Sequence, residues 1–312
     1  MLRAVLLLHF ASLLALGPMA LAQTKKPPLP PGRDPGGVAI ALLTTGIDYT
    51  LPHIAGHLAR DGEGELIGFD LVDNDNRPFG GDGTTLATHL LDPAIPARLV
   101  PVRVDPRDPP SLARAVAFIA QTPARIVVVP MWSLRKEDWQ PFRQAVEHFS
   151  QLLLVVPAGD DGRDLDKDPV YPAAFLLPNV LVVAASRAGA DAPRSVQMLP
   201  AANWGANTVD AVALSGDSVA AAAVAAKAAA AMLPHSPSLN GAELKLRLMQ
   251  TSVIQRQGET PQRTRSLAVL APMVLRQGIT DPSQRILDKA RVPERLQEPG
   301  RSDPRPNDGK AR

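Results

Sequence analysis

The sequence predicts an α/β fold, a doubly wound parallel sheet with helices on both faces. Two observations carry this. Five short apolar runs, at 38–43, 98–104, 126–129, 152–156 and 180–185, are partly β-branched and do not alternate with polar residues. Strands buried on both faces read this way, whereas a sheet with one wet face shows a period of two. Between the runs lie stretches of helical spacing, and strands alternating with helices make parallel sheets.

The elements follow in order. The first run leads into Thr44. The second is followed by a helical stretch at 111–120, with Ser111 placed as its N-cap. After the third run comes a helix over 136–149, where Phe142, Ala145, Val146 and Phe149 fall on one face. The fourth and fifth runs precede an Ala-rich helix at 222–232, whose small side chains suit tight packing at the sheet centre. Residues 38–275 form one domain of about 240 residues, enough to bury a substantial core.

The flanks have a different composition. Residues 1–22 carry one early charge at Arg3, an apolar stretch from Val5 to Leu16, and Ala20-Leu21-Ala22 before Gln23. This is the pattern of a cleavable secretory signal, so the chain is expected to be exported, periplasmic or secreted. The apolar stretch is shorter than the roughly 20 residues that span a bilayer, and no membrane span is expected after cleavage. Residues 23–37 read as a Pro/Gly-rich linker and 276–312 as a charged, Pro-containing tail, both extended or disordered. There is no cysteine, hence no disulfide, and the redox compartment is not indicated.

Charge excludes one class of partner. The formal net charge is +2, but residues 38–275 carry 20 Lys and Arg against 24 Asp and Glu, while 276–312 carry 9 against 6. The basic excess therefore belongs to the flanks, and the domain offers no case for nucleic-acid binding.

Several stretches carry chemistry. The first strand runs into Thr44-Thr45-Gly46-Ile47-Asp48. Gly68-Phe69-Asp70-Leu71-Val72-Asp73 leads towards Gly81-Asp82-Gly83-Thr84-Thr85. Then come Val129-Pro130-Met131-Trp132-Ser133-Leu134, Val156-Pro157-Ala158-Gly159-Asp160, Tyr171-Pro172-Ala173, Asn203-Trp204-Gly205 and Gly216-Asp217-Ser218-Val219-Ala220. In this order the stretches resemble the subtilisin-like serine protease family. The resemblance places Ser218 at the nucleophile, Thr44 at the catalytic Asp, Asp82 at the catalytic His and Asp160 at the oxyanion Asn. It also places Ser133 and Leu134 on the strand that flanks the substrate cleft.

Three of the four catalytic positions thus hold the wrong group. A serine hydroxyl needs an adjacent base, itself oriented by a third group. Asp82 is shorter than histidine and, with an ordinary carboxyl pKa of about 3.9, a weak base near neutrality. Thr44 supplies no charge, and a carboxylate at 160 would oppose a developing oxyanion. The expectation is an exported pseudoprotease that binds a peptide or protein through a vestigial cleft, with a ligand adding as a strand near Ser133 and Leu134. The alternative is an active serine-type hydrolase with an acid-type site, Ser218 with Asp82. Sedolisins, acid-acting relatives, use carboxylates in this way but pair two on one helix, and the position four after Asp82 is Leu86. A third reading keeps Ser218 as a small residue chosen for packing.

No cofactor is expected. The acidic loop Asp160, Asp161, Asp164, Asp166 and Asp168 invites calcium, but Pro169 follows and no Glu closes the loop, so calcium stays unsupported. His53, His57 and His89 lack the Glu of a helical zinc motif. Gly80-Gly81-Asp82-Gly83 has no following Lys for a phosphate loop. Oligomeric state is not legible in the sequence.

Overall fold

The computed structural model describes residues 26–188, 196–251, 253–255 and 267–270. The signal-like segment 1–22 and the tail 276–312 lie outside the described residues. Ten strands form one sheet: β1 Val38–Thr44, β2 Phe69–Asp70, β3 Ala97–Arg103, β4 Ile126–Val128, β5 Leu153–Pro157, β6 Val180–Ala188, β7 Val196–Met198, β8 Ala211–Leu214, β9 Val253–Gln255 and β10 Leu267–Leu270. Their order is β2-β3-β1-β4-β5-β6-β8-β10-β9, with β7 beside β6. Every pairing is parallel except β7 with β6 and β9 with β10. The sheet is therefore mostly parallel, and antiparallel only where those two short strands join it.

Both faces are covered, as the apolar runs require. On one face Ile40, Leu42, Ile126, Val128, Leu153 and Val155 share a core with α2 Thr84–Leu90, α5 Ser218–Met232 and α6 Gly241–Thr251. On the other face Ala41, Leu43, Val127, Leu154 and Val156 pack with α3 Pro109–Ile119 and α4 Gln140–His148. Successive residues of one strand thus enter opposite cores, which is why no polar alternation was needed. A short α1, Pro52–Ala55, precedes α2.

Some boundaries differ from expectation. Helix α3 begins at Pro109, and Ser111 is not its N-cap. Two prolines lack the N–H groups that a first turn leaves unused, so they start the helix earlier. Ser111 is buried inside the first turn and donates from Oγ to the Asp108 carbonyl at 2.6 Å. The stretch 136–149 opens with a 3₁₀ turn, Glu137–Trp139, before α4. The Ala-rich helix is longer than 222–232, because Asp217 caps it and Ser218 is its first residue. By length and composition Ser218–His235 is apolar enough to cross a membrane. Here α5 packs against β4, β5, β6 and β8, the placement of a core helix.

Residues 26–37 have no regular structure, as their composition implies, but they are tied down rather than free. Tyr49 Oη donates to the Pro27 carbonyl at 2.7 Å and Arg60 Nη2 to that of Pro30 at 2.6 Å. Asp34 accepts from the Arg60 N–H at 2.8 Å and pairs with Arg98 at 2.7 Å. Lys26 lies 2.5 Å from the buried carboxylate of Asp70, which also pairs with Arg103 at 2.8 Å. Leu29 packs against the core, and these polar anchors hold the rest of the segment.

Candidate functional site

Strand order sets where a site can form. The chain leaves β1, reaches β3 on one side and β4 on the other, so the crevice beyond the strand ends opens beside β1. Thr44 is the last residue of β1 and is buried. Gly159 and Asp160 follow β5, and Ser218 opens α5 after β8.

Ser218 is fully buried, and its polar atoms are engaged. Its Oγ lies 2.8 Å from Asp160 Oδ1 and 3.0 Å from the Gly159 carbonyl, so one proton has two acceptors. Its backbone N–H donates to the same carboxylate, 3.1 Å from each oxygen. Ionised Asp160 is an acceptor only. The donor that the first N–H of a helix would offer to an oxyanion is therefore already occupied.

The loop carrying Asp160 is held from behind. Gly159 has φ +96°, and a Cβ there would meet Asn203 Nδ2 at 2.6 Å, so only glycine fits the turn. Asn203 is fully buried; its Oδ1 accepts from the N–H groups of Asp161 at 3.1 Å and Arg163 at 2.8 Å. Its Nδ2 donates to the Ala158 carbonyl at 2.9 Å. Asn203 is thus the positioning residue for Asp160, a role the Asn203-Trp204-Gly205 stretch did not reveal by itself. Asp217 is the other residue whose role was missed. Its carboxylate accepts from the Ala220 N–H at 2.7 Å, capping α5, and an Asp before an Ala run is the signal that could have found it.

Asp82 belongs to a separate network. Its Oδ1 accepts from Thr45 Oγ1 at 2.5 Å, and its N–H donates back to that oxygen at 3.0 Å. No hydrogen bond joins Asp82 to Ser218 among the described residues. Thr44 Oγ1 accepts from the Gly46 N–H at 3.2 Å and so supports the turn after β1. A Cβ on Gly81 would lie 2.3 Å from the Thr45 carbonyl, and one on Gly83 2.5 Å from Thr44 Oγ1. The two glycines let the start of α2 close on β1. That close approach accounts for glycine at 81 and 83.

Two of the four expected positions, Thr44 and Asp82, share a cavity. Thr44, Asp82, Leu86, His89, Met131 and Asp217 line one cavity of about 200 Å³ between α2 and α5. Ser218 and Asp160 do not line it, although Asp217 and Val219, on either side of the serine in the chain, do. Ser133 pairs with Tyr171 through both peptide groups, at 3.0 and 2.8 Å, and its Oγ accepts from Trp139 Nε1 at 2.9 Å. A strand-adding ligand would have to displace Tyr171 to use Ser133. Leu134 and Trp132 are exposed beside it.

The acidic loop is internally satisfied. Asp166 accepts from Thr208 Oγ1 at 2.8 Å and from the N–H groups of Thr208 and Asn207 at 3.0 and 3.1 Å. Burial opposes its ionisation, but these donors outweigh it and hold its carboxyl below the usual range. Arg163 bonds Asp161 and Asp168, and Lys167 pairs with Asp164 at 2.9 Å.

No family model matches the sequence, and no curated protein does. Solved structures do match. The chain is similar in fold to a cold adapted subtilisin-like serine proteinase, at 18% identity and TM-score 0.55, over 77% of this chain and 90% of that one. It is similar to MycP1 with the N-terminal propeptide removed, at 18% and 0.57, over 78% and 91%. It is similar to the nisin leader peptidase NisP from Lactococcus lactis, at 14% and 0.58, over 78% and 88%. The fold is that of subtilisin-like proteases.

Proposed function

We propose that this chain is an exported pseudoprotease, a subtilisin-like scaffold that binds a peptide or protein through its cleft without cleaving it. The carrying observation is the Asp160 carboxylate, which accepts from both the N–H and the hydroxyl of Ser218. A substrate carbonyl entering there would meet negative charge where a donor is required, and one lost oxyanion donor alone costs about 3 kcal/mol. Thr44 and Asp82 add to this, since neither offers Ser218 a base in hydrogen-bond reach. Export rests on the signal-like residues 1–22.

The competing reading is an acid-type hydrolase in which a carboxylate takes the serine proton. The contact that favours it is Asp160 with Ser218, rather than the Asp82 pairing expected from sequence. One experiment separates the two: labelling with a fluorophosphonate probe at pH 7 and pH 4, with Ser218→Ala as control. The pseudoprotease reading expects no labelling at either pH. Stoichiometric labelling lost in Ser218→Ala would refute it, and labelling only at pH 4 would favour the acid-type site.

A further inference from the structure

We propose that the cavity between α2 and α5 takes the side chain of a lysine or arginine presented by an extended peptide. The inference rests on the peptide-binding reading above and gives the partner a chemistry. The cavity has about 200 Å³, room for one long side chain. Leu86, Met131 and Val219 provide apolar wall, against which an aliphatic stem can be buried. Asp82 and Asp217 provide the charge for its head.

Those two carboxylates are poorly compensated. Each carboxylate accepts one hydrogen bond inside the fold, Asp82 Oδ1 from Thr45 and Asp217 Oδ1 from the Ala220 N–H, and both residues are exposed. Neither joins an ion pair among the described residues, whereas Asp34, Asp70, Asp73, Asp164 and Asp210 all do. His89 is the sole nitrogen base on the wall. The contrast with a second cavity is instructive. That one, about 290 Å³ beside Arg103 and Arg107, has its arginines answered by Asp70, Asp73 and Asp105. In the cleft cavity two carboxylates without a cationic partner among the described residues stand next to apolar wall. A metal ion would be a poor occupant, because no group of three or more His, Cys, Asp or Glu converges among the described residues.

The test uses the full chain and a set of fluorescein-labelled hexapeptides identical except at one central position, which holds Lys, Arg, norleucine or Glu. Fluorescence polarisation reads affinity, and mass spectrometry of the same mixtures reads cleavage. Lys or Arg should bind about fivefold to tenfold tighter than norleucine, and Glu weaker still, with the margin shrinking at high salt. The double variant Asp82→Asn, Asp217→Asn should abolish the margin. Asn can still accept from Thr45, and it caps a helix as well as Asp, so the fold should survive. Circular dichroism and an unfolding curve check that it does. Equal binding of Lys and norleucine peptides would overturn the inference while leaving peptide binding intact. A margin unchanged in the double variant would overturn it as well. Cleavage lost in Ser218→Ala would overturn the pseudoprotease reading and leave the basic preference to be judged by its own ratio. Absence of binding by every peptide would overturn both.

Discussion

The contact between Asp160 and Ser218 makes two roles visible in one residue. In the proposed reading Asp160 closes the oxyanion position; in the structure it satisfies the first N–H of α5. Removing it should therefore cost stability without restoring chemistry. Asp160→Ala is expected to lower stability by about 1–3 kcal/mol, since a buried N–H loses its partner. Asp160→Asn should cost less, because the amide oxygen still accepts. Urea unfolding of the two variants measures the difference, and equal losses would contradict the role given to the carboxylate. The resemblance placed Asp160 at the oxyanion position but could not name its partner. The contact joins residues 58 positions apart, and its geometry depends on Asn203 holding the loop from behind.

Elements were more legible than contacts. Runs such as 126–129 and 152–156 announced strands buried on two faces because burial on both sides removes any need for polar residues. Helix starts were less legible, because a cap is decided by backbone direction as well as residue type. Ser111 has the right chemistry for a cap, yet Pro109 and Pro110 begin α3 ahead of it. Asp217, which the sequence offered only as part of the stretch around Ser218, caps α5. Asp217→Ala should destabilise the chain by about 1 kcal/mol and Asp217→Asn by a few tenths at most. Thermal unfolding followed by circular dichroism checks this. A loss as large for Asn as for Ala would mean that charge, not capping, is what Asp217 supplies to stability.

At the scale of the whole molecule, the carboxylates that tie loops together make stability depend on pH. Burial disfavours the charge on Asp34, but the Arg60 N–H and Arg98 outweigh it and hold its pKa below the ordinary value. The Thr208 and Asn207 donors do the same for Asp166. Arg163 lowers Asp161 and Lys26 lowers Asp73. A carboxyl whose folded pKa lies below its unfolded value of about 3.9 contributes stability above that pH and loses it as pH falls through the folded value. Asp210 runs the other way, since burial raises its pKa despite Lys245 at 2.7 Å, so its contribution favours the acid side. The lowered groups outnumber it. The unfolding midpoint should therefore fall between about pH 5 and pH 3, and Asp34→Asn with Asp166→Asn should flatten that slope. A midpoint that rises over this range would contradict the assignment.

The whole molecule also bears the central claim, that a subtilisin-like scaffold persists here with its chemistry closed. Motif order made the scaffold legible because the stretches at Thr44, 129–134, Gly159-Asp160 and Asp217-Ser218 end or follow the strands β1, β4, β5 and β8. The state of the crevice was not legible, since Asp82 turned to Thr45 and Asp160 to Ser218 are outcomes of packing. The most direct measurement is hydrolysis of an activated ester by wild type, by Ser218→Ala, and by the triple variant Thr44→Asp, Asp82→His, Asp160→Asn. Triad members act as a unit, so single changes are expected to do little. The account predicts that wild type is indistinguishable from Ser218→Ala and that the triple variant gains hydrolysis dependent on Ser218. Wild-type hydrolysis that matches the triple variant and vanishes in Ser218→Ala would show that Thr44, Asp82 and Asp160 belong to a working site, and would contradict it.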